Sequence, residues 1–310
     1  MKIKDTKKCF LLVSLLLYAL QLFSQERFER TIYKDKEKVR IISYNILDGF
    51  DYLKDKDRIT RFADWIKEKD PEVLALQELV GFKEADLLDL ARSYGHSYAV
   101  ILKENGYPVG ITSKRPIQVI KKWTDGLWHG MLHVKTYGMN FIVLHLSPAD
   151  WSYRLMEAQK ITTYMKENGS DSYLVMGDFN SHSPFDADEL ETHSELIRKV
   201  TVSDAKSDKY KNMRDNGFDY ATQATFLAAS LEDACRLFVK ADKRTTFPTR
   251  ILTHWYKGEY RHERLGERLD YILLSPDLQK KCVDAYIWNG DDTDYLSDHY
   301  PVGIDILITK

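Results

Sequence analysis

Along this chain, short runs of β-branched and aromatic residues alternate with longer polar stretches in which apolar residues recur at helical spacing. The first run, VRIISYNI (39–46), predicts a strand by its β-branched content. The polar stretch DGFDYLKDKD reads as a loop. RITRFADWIKEKD (58–70) then places Ile59, Phe62, Ala63 and Ile66 on one helical stripe, with Pro71 directly behind it. EVLALQEL (72–79) predicts a second buried strand, and KEADLLDLARSYG (83–95) a helix closed by Gly95. Strands are expected at 97–102, 108–113, 117–123, 130–136 and 140–147, a helix at 151–168 and a strand at 172–180. Residues 184–240 read as helical and polar, and three further strands are expected at 268–275, 282–290 and 300–308. No fixed-period repeat or low-complexity linker divides the chain. About a dozen strands with helices between them predict an α/β fold in which two stacked sheets are flanked by helices.

The first 24 residues fall outside this pattern. Lys2, Lys4, Lys7 and Lys8 precede the apolar run CFLLVSLLLYALQLF, which ends at Ser24 and Gln25. That order is the layout of a secretory signal peptide, and the run is short for a transmembrane span. An uncleaved anchor is the alternative. Cys9 lies ahead of the apolar run, the wrong place for a lipidated Cys after cleavage. Cleavage after Ser24 is expected, leaving a single domain over residues 25–310 that is secreted or periplasmic, monomeric and not stably inserted in a membrane.

Loss of the leader removes four Lys and one Asp, so 41 basic residues face 46 acidic ones and the net charge is −5. This excludes a protein that coats nucleic acid by bulk charge, and leaves room for a local basic site. Cys235 and Cys282 remain, either as a disulfide that export would permit or as buried thiols. No Cys/His spacing suits a zinc finger or a redox motif.

Polar residues interrupt the apolar strands at their ends: Asn45 in SYNI, Glu78 in LQEL, His145 in VLHLS, Asp178 and Asn180 in VMGDFNSH, Asp270 in RLDY, and Asp298 and His299 before YPVGIDI. Strand alternation would point Asp178 and Asn180 the same way. A buried, unpaired carboxylate costs several kcal/mol, so a whole set of acids, amides and histidines at strand ends is best explained by one convergent site. Oxygen ligands without Cys suit a hard cation such as Mg²⁺, Mn²⁺ or Ca²⁺. A His beside an Asp can act as a base whose tautomer its partner fixes. Together these parts suit metal-assisted attack of water on phosphorus.

The same segments carry a resemblance. SYNI, LQEL, GYPVGITSKRPI, VLHLS, GDFNSHSP, RLDYIL and SDHYPV, in that order between residues 41 and 303, resemble the endonuclease/exonuclease/phosphatase superfamily. That group includes pancreatic deoxyribonuclease, abasic-site endonucleases, inositol-polyphosphate phosphatases and bacterial sphingomyelinases. The resemblance implies a four-layer α/β sandwich with two mixed β-sheets face to face and helices outside. It implies Glu78 as the main metal ligand, Asn45 near or on the metal and Asp298 in the metal shell. It implies His299 against the water or the scissile phosphate, with Asp270 hydrogen-bonded to it. Asp178 and Asn180 match the pair that orients nucleophile and phosphate, His145 a second His, and Tyr107 a phosphate-contacting Tyr.

Each position also has a bland reading: Asn45 and Asn180 as turn residues, His145 as a satisfied core His, Tyr107 as one of 19 tyrosines. Asp48 reads as a solvated loop residue, as do Asp291, Asp292 and Asp294, while His182 and His193 read as surface. Trp128, Trp151, Trp255 and Trp288 read as aromatic packing. The expected partner is a phosphate-ester substrate, with nucleic acid among the candidates. Its choice is expected to fall to residues 203–225 and to the basic, aromatic stretch 249–267, which carries Arg250, Lys257, Arg261 and Arg264 and leads to Arg268. Without an apolar membrane-inserting hairpin, a membrane lipid is disfavoured. A phosphomonoesterase of small sugar or inositol phosphates, and an inactive binding module of the same fold, are the alternatives.

Overall fold

A computed structural model describes residues 35–169, 172–252 and 266–309. One compact unit spans Val39–Ile306. The expected leader therefore lies outside the described residues, as do Arg261, Arg264 and Trp255.

Fourteen strands are described: β1 (Lys36–Asn45), β2 (Val73–Gln77), β3 (Tyr98–Ile101), β4 (Gly110–Ser113), β5 (Gln118–Trp123), β6 (Met131–Thr136), β7 (Met139–His145), β8 (Tyr173–Asp178), β9 (Met213–Arg214), β10 (Gly217–Phe218), β11 (Glu232–Asp233), β12 (Asp270–Leu274), β13 (Cys282–Ile287) and β14 (Val302–Thr309). The first sheet runs β13-β14-β1-β2-β4-β3 and the second β11-β12-β8-β7-β6-β5; β9 and β10 form a separate hairpin. Both large sheets are mixed. β1 pairs parallel to β2 and β7 parallel to β8, while β2–β4, β3–β4, β5–β6, β6–β7, β8–β12, β11–β12 and β13–β14 are antiparallel.

Alternation along β1 explains the layering. Ile42 and Tyr44 face outward with Ile46 behind them, and they pack on the apolar faces of α1 (Lys56–Lys69) and α2 (Glu84–Ser93). Helix α1 starts at Asp55, whose carboxylate accepts the Arg58 N–H, and stops at Asp70 in left-handed conformation before Pro71. The second sheet turns Ile142, Leu144, Val175, Tyr271 and Leu273 toward α3 (Trp151–Glu167) and Phe226, on the later helix 221–228. The other faces meet each other, β2 lying against β7 and β8. The result is the four-layer sandwich that the motif resemblance implies. The polar stretch 184–240 holds short helices together with the small strands β9 to β11. Cys235 and Cys282 are both buried free thiols, so the disulfide alternative falls.

Two backbone features prepare the site. Gly177 has φ +142, and a Cβ there would lie 1.9 Å from the Leu144 carbonyl oxygen, so only glycine lets β8 close on β7 just before Asp178. Residues Leu47–Leu53, expected as a loop, instead wind through positive φ at every residue. Left-handed backbone costs about 1–2 kcal/mol per non-glycine residue, so tertiary contacts must hold it. Phe50 is buried against Phe62 and Phe82. The Arg58 guanidinium donates to the carbonyls of Ile46 and Leu47.

Candidate active site

The C-terminal ends of β1, β2, β7 and β8 and the start of β12 meet at one edge of the sandwich. The register puts Asn45 opposite Gln77, next to Glu78, and Asp178 opposite both His145 and Asp270. All nine sequence-predicted residues come together here, with Tyr107 at the rim, 37% exposed.

Asn45 joins the two sheets. Its amide nitrogen donates to Glu78 Oε1 at 3.2 Å and to Asp178 Oδ2 at 3.0 Å, while its oxygen accepts the Leu47 N–H. Glu78 has φ +61, and its Oε2 accepts the Asp48 N–H at 2.8 Å. The left-handed stretch thus aims a backbone donor at a carboxylate. Gly49 makes this possible, since a Cβ there would lie 2.1 Å from the Val80 carbonyl oxygen. Asp48, expected to be solvated, is half-buried, and its carboxylate acts on the Tyr107 phenol. Burial and that carboxylate push the Tyr107 phenol up to about 12.

Asp178, 2% exposed, accepts the Asn180 N–H on Oδ1 at 2.9 Å. Asn180 has left-handed φ and donates its amide to the Leu146 carbonyl. Strand alternation therefore stops at Asp178, and the two side chains share a turn rather than a strand face. That arrangement also realises the turn reading of Asn180. His145 Nε2 lies 3.4 Å and His299 Nε2 3.6 Å from Asp178 Oδ2. His299 Nδ1 is 2.7 Å from Asp270 Oδ2, and Asp270 N–H donates to Thr246 Oγ1. His299 is therefore fixed through one ring nitrogen and presents the other to the site.

The carboxylates are held above their ordinary range. Burial raises Glu78 to about 7, with the Asp298 charge adding to it. Burial raises Asp270 to about 6, against the opposing pull of His299. Asp178 and Asp298 are raised too, first by burial. Burial alone would lower His299, but Asp270 and Asp178 outweigh it and hold the imidazole well above its usual pKa. Burial brings His145 down to about 3, so it is neutral.

Ligand atoms of Asp178, Asp270 and His299 lie within 4.8 Å of one another and could hold a metal ion. The Asp270–His299 hydrogen bond uses one ring nitrogen and one carboxylate oxygen of this trio and also suits it to handling a proton. Glu78 and Asp298, two half-buried carboxylates that raise the energy of each other's charge, are the donor set a hard divalent cation would relieve. Asn45 orients this set, and its oxygen, which accepts the Leu47 N–H, keeps a second lone pair for a cation.

Other sequence expectations change. His182 and His193 are buried, His182 bonded to Glu267 at 2.7 Å and His193 to the Gly266 carbonyl at 2.9 Å. Asp294 is buried, accepting from the Tyr300 hydroxyl and pairing with Arg250, whereas Asp291 and Asp292 are exposed. Arg268 does not face a substrate. It is buried, pairs with Asp233 at 2.6 Å and Asp186 at 3.1 Å, and lies over the Tyr271 ring. Removing one partner of such a cluster strands buried charge, so Arg268→Ala is expected to cost about 3–5 kcal/mol of stability in urea unfolding. A loss under 1 kcal/mol would show the cluster to be dispensable.

One residue at the site escaped the sequence reading. His129, in GLWHGML, stacks on His145 with ring centroids 4.3 Å apart and lies 5.5 Å from the Tyr107 ring. It sits in a loop before β6, where no strand pattern marks it.

A sequence search of curated proteins gives no match. Among solved structures, an AP endonuclease from Archaeoglobus fulgidus superimposes with a TM-score of 0.63 at 20% identity, covering 86% of this chain and 99% of that one. A 3'-5' exonuclease (NExo) from Neisseria meningitidis gives 0.61 at 19% identity, with the same coverage. A NExo variant described as a 3' phosphatase bound to product DNA hairpin gives 0.62 at 19%, again covering 86% and 99%. At these identities the likeness shows the fold. The sequence profile of the Endonuclease/Exonuclease/phosphatase family matches residues 42–299, and the chain belongs to that family.

Proposed function

We propose that this chain is an exported, divalent-metal-dependent phosphoesterase that hydrolyses a phosphodiester, nuclease-like, by attack of water on phosphorus. The observation that carries the reading is the Asn45 amide, which ties the carboxylate Glu78 on one sheet to Asp178 on the other. A cation set and a proton-handling set are thereby held at fixed separation, as catalysis by positioning requires. Glu78 and Asp298 would hold Mg²⁺, or Mn²⁺ or Ca²⁺ in its place. The ion, when bound, supplies Lewis-acid polarisation of a phosphoryl oxygen.

The chain's own residues do the rest. Asp178, oriented by the Asn45 amide and the Asn180 N–H, takes the proton of the attacking water. His299, kept charged by Asp270, steadies the negative charge on the phosphoryl oxygens and, as the P–O bond to the leaving group breaks, gives the departing oxygen its proton. Asn180 and His145 complete the wall, and Tyr107 contacts the phosphate from the rim.

A nucleic-acid substrate is supported by the likeness to structures described as an AP endonuclease and a 3'-5' exonuclease, and to one described as a 3' phosphatase bound to product DNA hairpin. A surface strip beside the site points the same way. Trp128 packs edge-on to Tyr153, Lys209 lies over the Trp128 and Tyr210 rings, and Arg214 lies over Trp151. Interleaved aromatics and cations suit bases and phosphates together. Lys209, Tyr210 and Arg214 belong to the segment 203–225 that was expected to choose the substrate. Export rests on the residue order at 1–24.

The test is hydrolysis of bis-p-nitrophenyl phosphate and p-nitrophenyl phosphate, each with Mg²⁺ and with chelator. The diester is expected to react at least ten times faster, and chelation to abolish both reactions. Faster monoester hydrolysis would reverse the assignment.

A further inference from the structure

Five buried histidines besides His299 and His145 allow a comparison. His96 bonds Thr112 Oγ1 at 2.8 Å through one ring nitrogen and the Pro71 carbonyl at 2.7 Å through the other. His133 likewise bonds the Tyr164 hydroxyl and Asn140 Oδ1. His182 and His193 have the partners given above. These are structural histidines, satisfied as buried polar groups must be. His129 differs. It is only 7% exposed, yet among the described residues neither of its ring nitrogens makes a hydrogen bond. Neither nitrogen is sealed from solvent, unlike His145 Nδ1, which is fully buried without a partner.

Its position gives the open nitrogens a use. The His129 ring lies between Tyr107 and His145. His145 in turn touches Asp178, and Tyr107 touches Asp48. His129 therefore lies within the ring of site residues. Burial lowers it to about 2, so it is neutral, with one N–H to donate.

A dedicated anchor holds it. Glu157, buried on α3, accepts the Trp128 N–H on Oε1 at 2.7 Å and the Ser147 N–H on Oε2 at 2.8 Å. One carboxylate thus ties the loop preceding His129 to the loop following His145. Arg154, one turn earlier on α3, donates to the Ser147 carbonyl at 3.0 Å. The two stacked rings are placed by the same group.

We propose that His129 is a substrate-contacting residue, donating a hydrogen bond to an oxygen of the bound phosphoryl group, and that Glu157 is the positioning residue that holds the His129–His145 stack. The proposal rests on the phosphoesterase reading, and its test separates the two. Inorganic phosphate is titrated, with Mg²⁺ present, into protein carrying isotope-labelled histidine, and the ring signals are followed by NMR. The His129 signals are expected to shift saturably. His129→Ala is expected to weaken phosphate binding and lower kcat about 10- to 100-fold, the range for a lost hydrogen bond to a charged group. His129→Gln, which keeps a donor, should recover part of that loss. Glu157→Gln should move the ring signals of both histidines and lower kcat more than it raises KM, which a merely structural carboxylate would not do.

If the His129 signals stay still while those of His299 move, or if neither set moves, the proposal is overturned. Activity of His129→Ala within twofold of wild type overturns it as well. A phosphate-dependent shift of His129 in a protein that hydrolyses no phosphoester would uphold the contact and overturn the hydrolase reading instead.

Discussion

Replacing His299 by Ala is expected to lower kcat by ~10²–10⁴-fold, the range for a lost acid–base group, while leaving the fold intact by circular dichroism. The expectation follows from the short His299–Asp270 hydrogen bond and from Nε2 being the only ring atom left to face the site. Asp270 acts through His299, by fixing its ring orientation and sustaining its charge. Asp270→Asn should therefore cost less than His299→Ala, because the imidazole remains. The double variant should be hardly slower than His299→Ala alone, since groups that work through one another are strongly non-additive. If the two single losses multiply, the residues act independently and the dyad does not exist.

Glu78→Gln carries the second large effect. The Mg²⁺ concentration for half-maximal activity is expected to rise by more than the ~10- to 100-fold that even outer-shell changes cause. Stability gives a second readout. Folding lifts the Glu78 pKa from 4.5 to about 7, so the folded state binds more protons than the unfolded one between those values. For this group stability is highest at low pH and falls as pH rises from about 4.5 to about 7. Above that window the charged carboxylate costs stability when no cation is bound. Without metal at pH 8, Glu78→Gln should accordingly be at least as stable as wild type in thermal unfolding. Wild type should gain Tm on adding Mg²⁺ and the variant should gain little. An unchanged Mg²⁺ response in the variant would remove Glu78 from the cation site.

Much of this was legible before the structure, for a physical reason. An acid or amide that ends an apolar strand is conspicuous, because burial there is expensive unless the group is paired. That is why Glu78, Asp178 and Asp270 stood out, and why their strands were placed within a few residues. Loop residues carry no such contrast. His129 and Asp48 lie in polar stretches whose sequence looks the same whether they face solvent or a site. Asp48 reaches Glu78 only because residues 47–53 take a left-handed path, which local propensity does not favour. Arg268 failed in the opposite sense. In a basic stretch a cation suits a phosphate and an ion pair equally well, and its partners Asp186 and Asp233 lie 82 and 35 residues away. Glu157 carries no mark in the sequence of its helix, and only the approach of two loops to α3 gives it a task.

The central claim is that these residues direct water onto phosphorus. The most direct measurement is hydrolysis of bis-p-nitrophenyl phosphate by the purified chain in ¹⁸O-labelled water with Mg²⁺, followed by mass spectrometry of both products. The account predicts one labelled oxygen in p-nitrophenyl phosphate, none in p-nitrophenol, and no product from His299→Ala above a percent or so of the wild-type rate, in line with a loss of ~10²-fold or more. Label in the phenol, or wild-type turnover that persists in His299→Ala or in chelator, would contradict it.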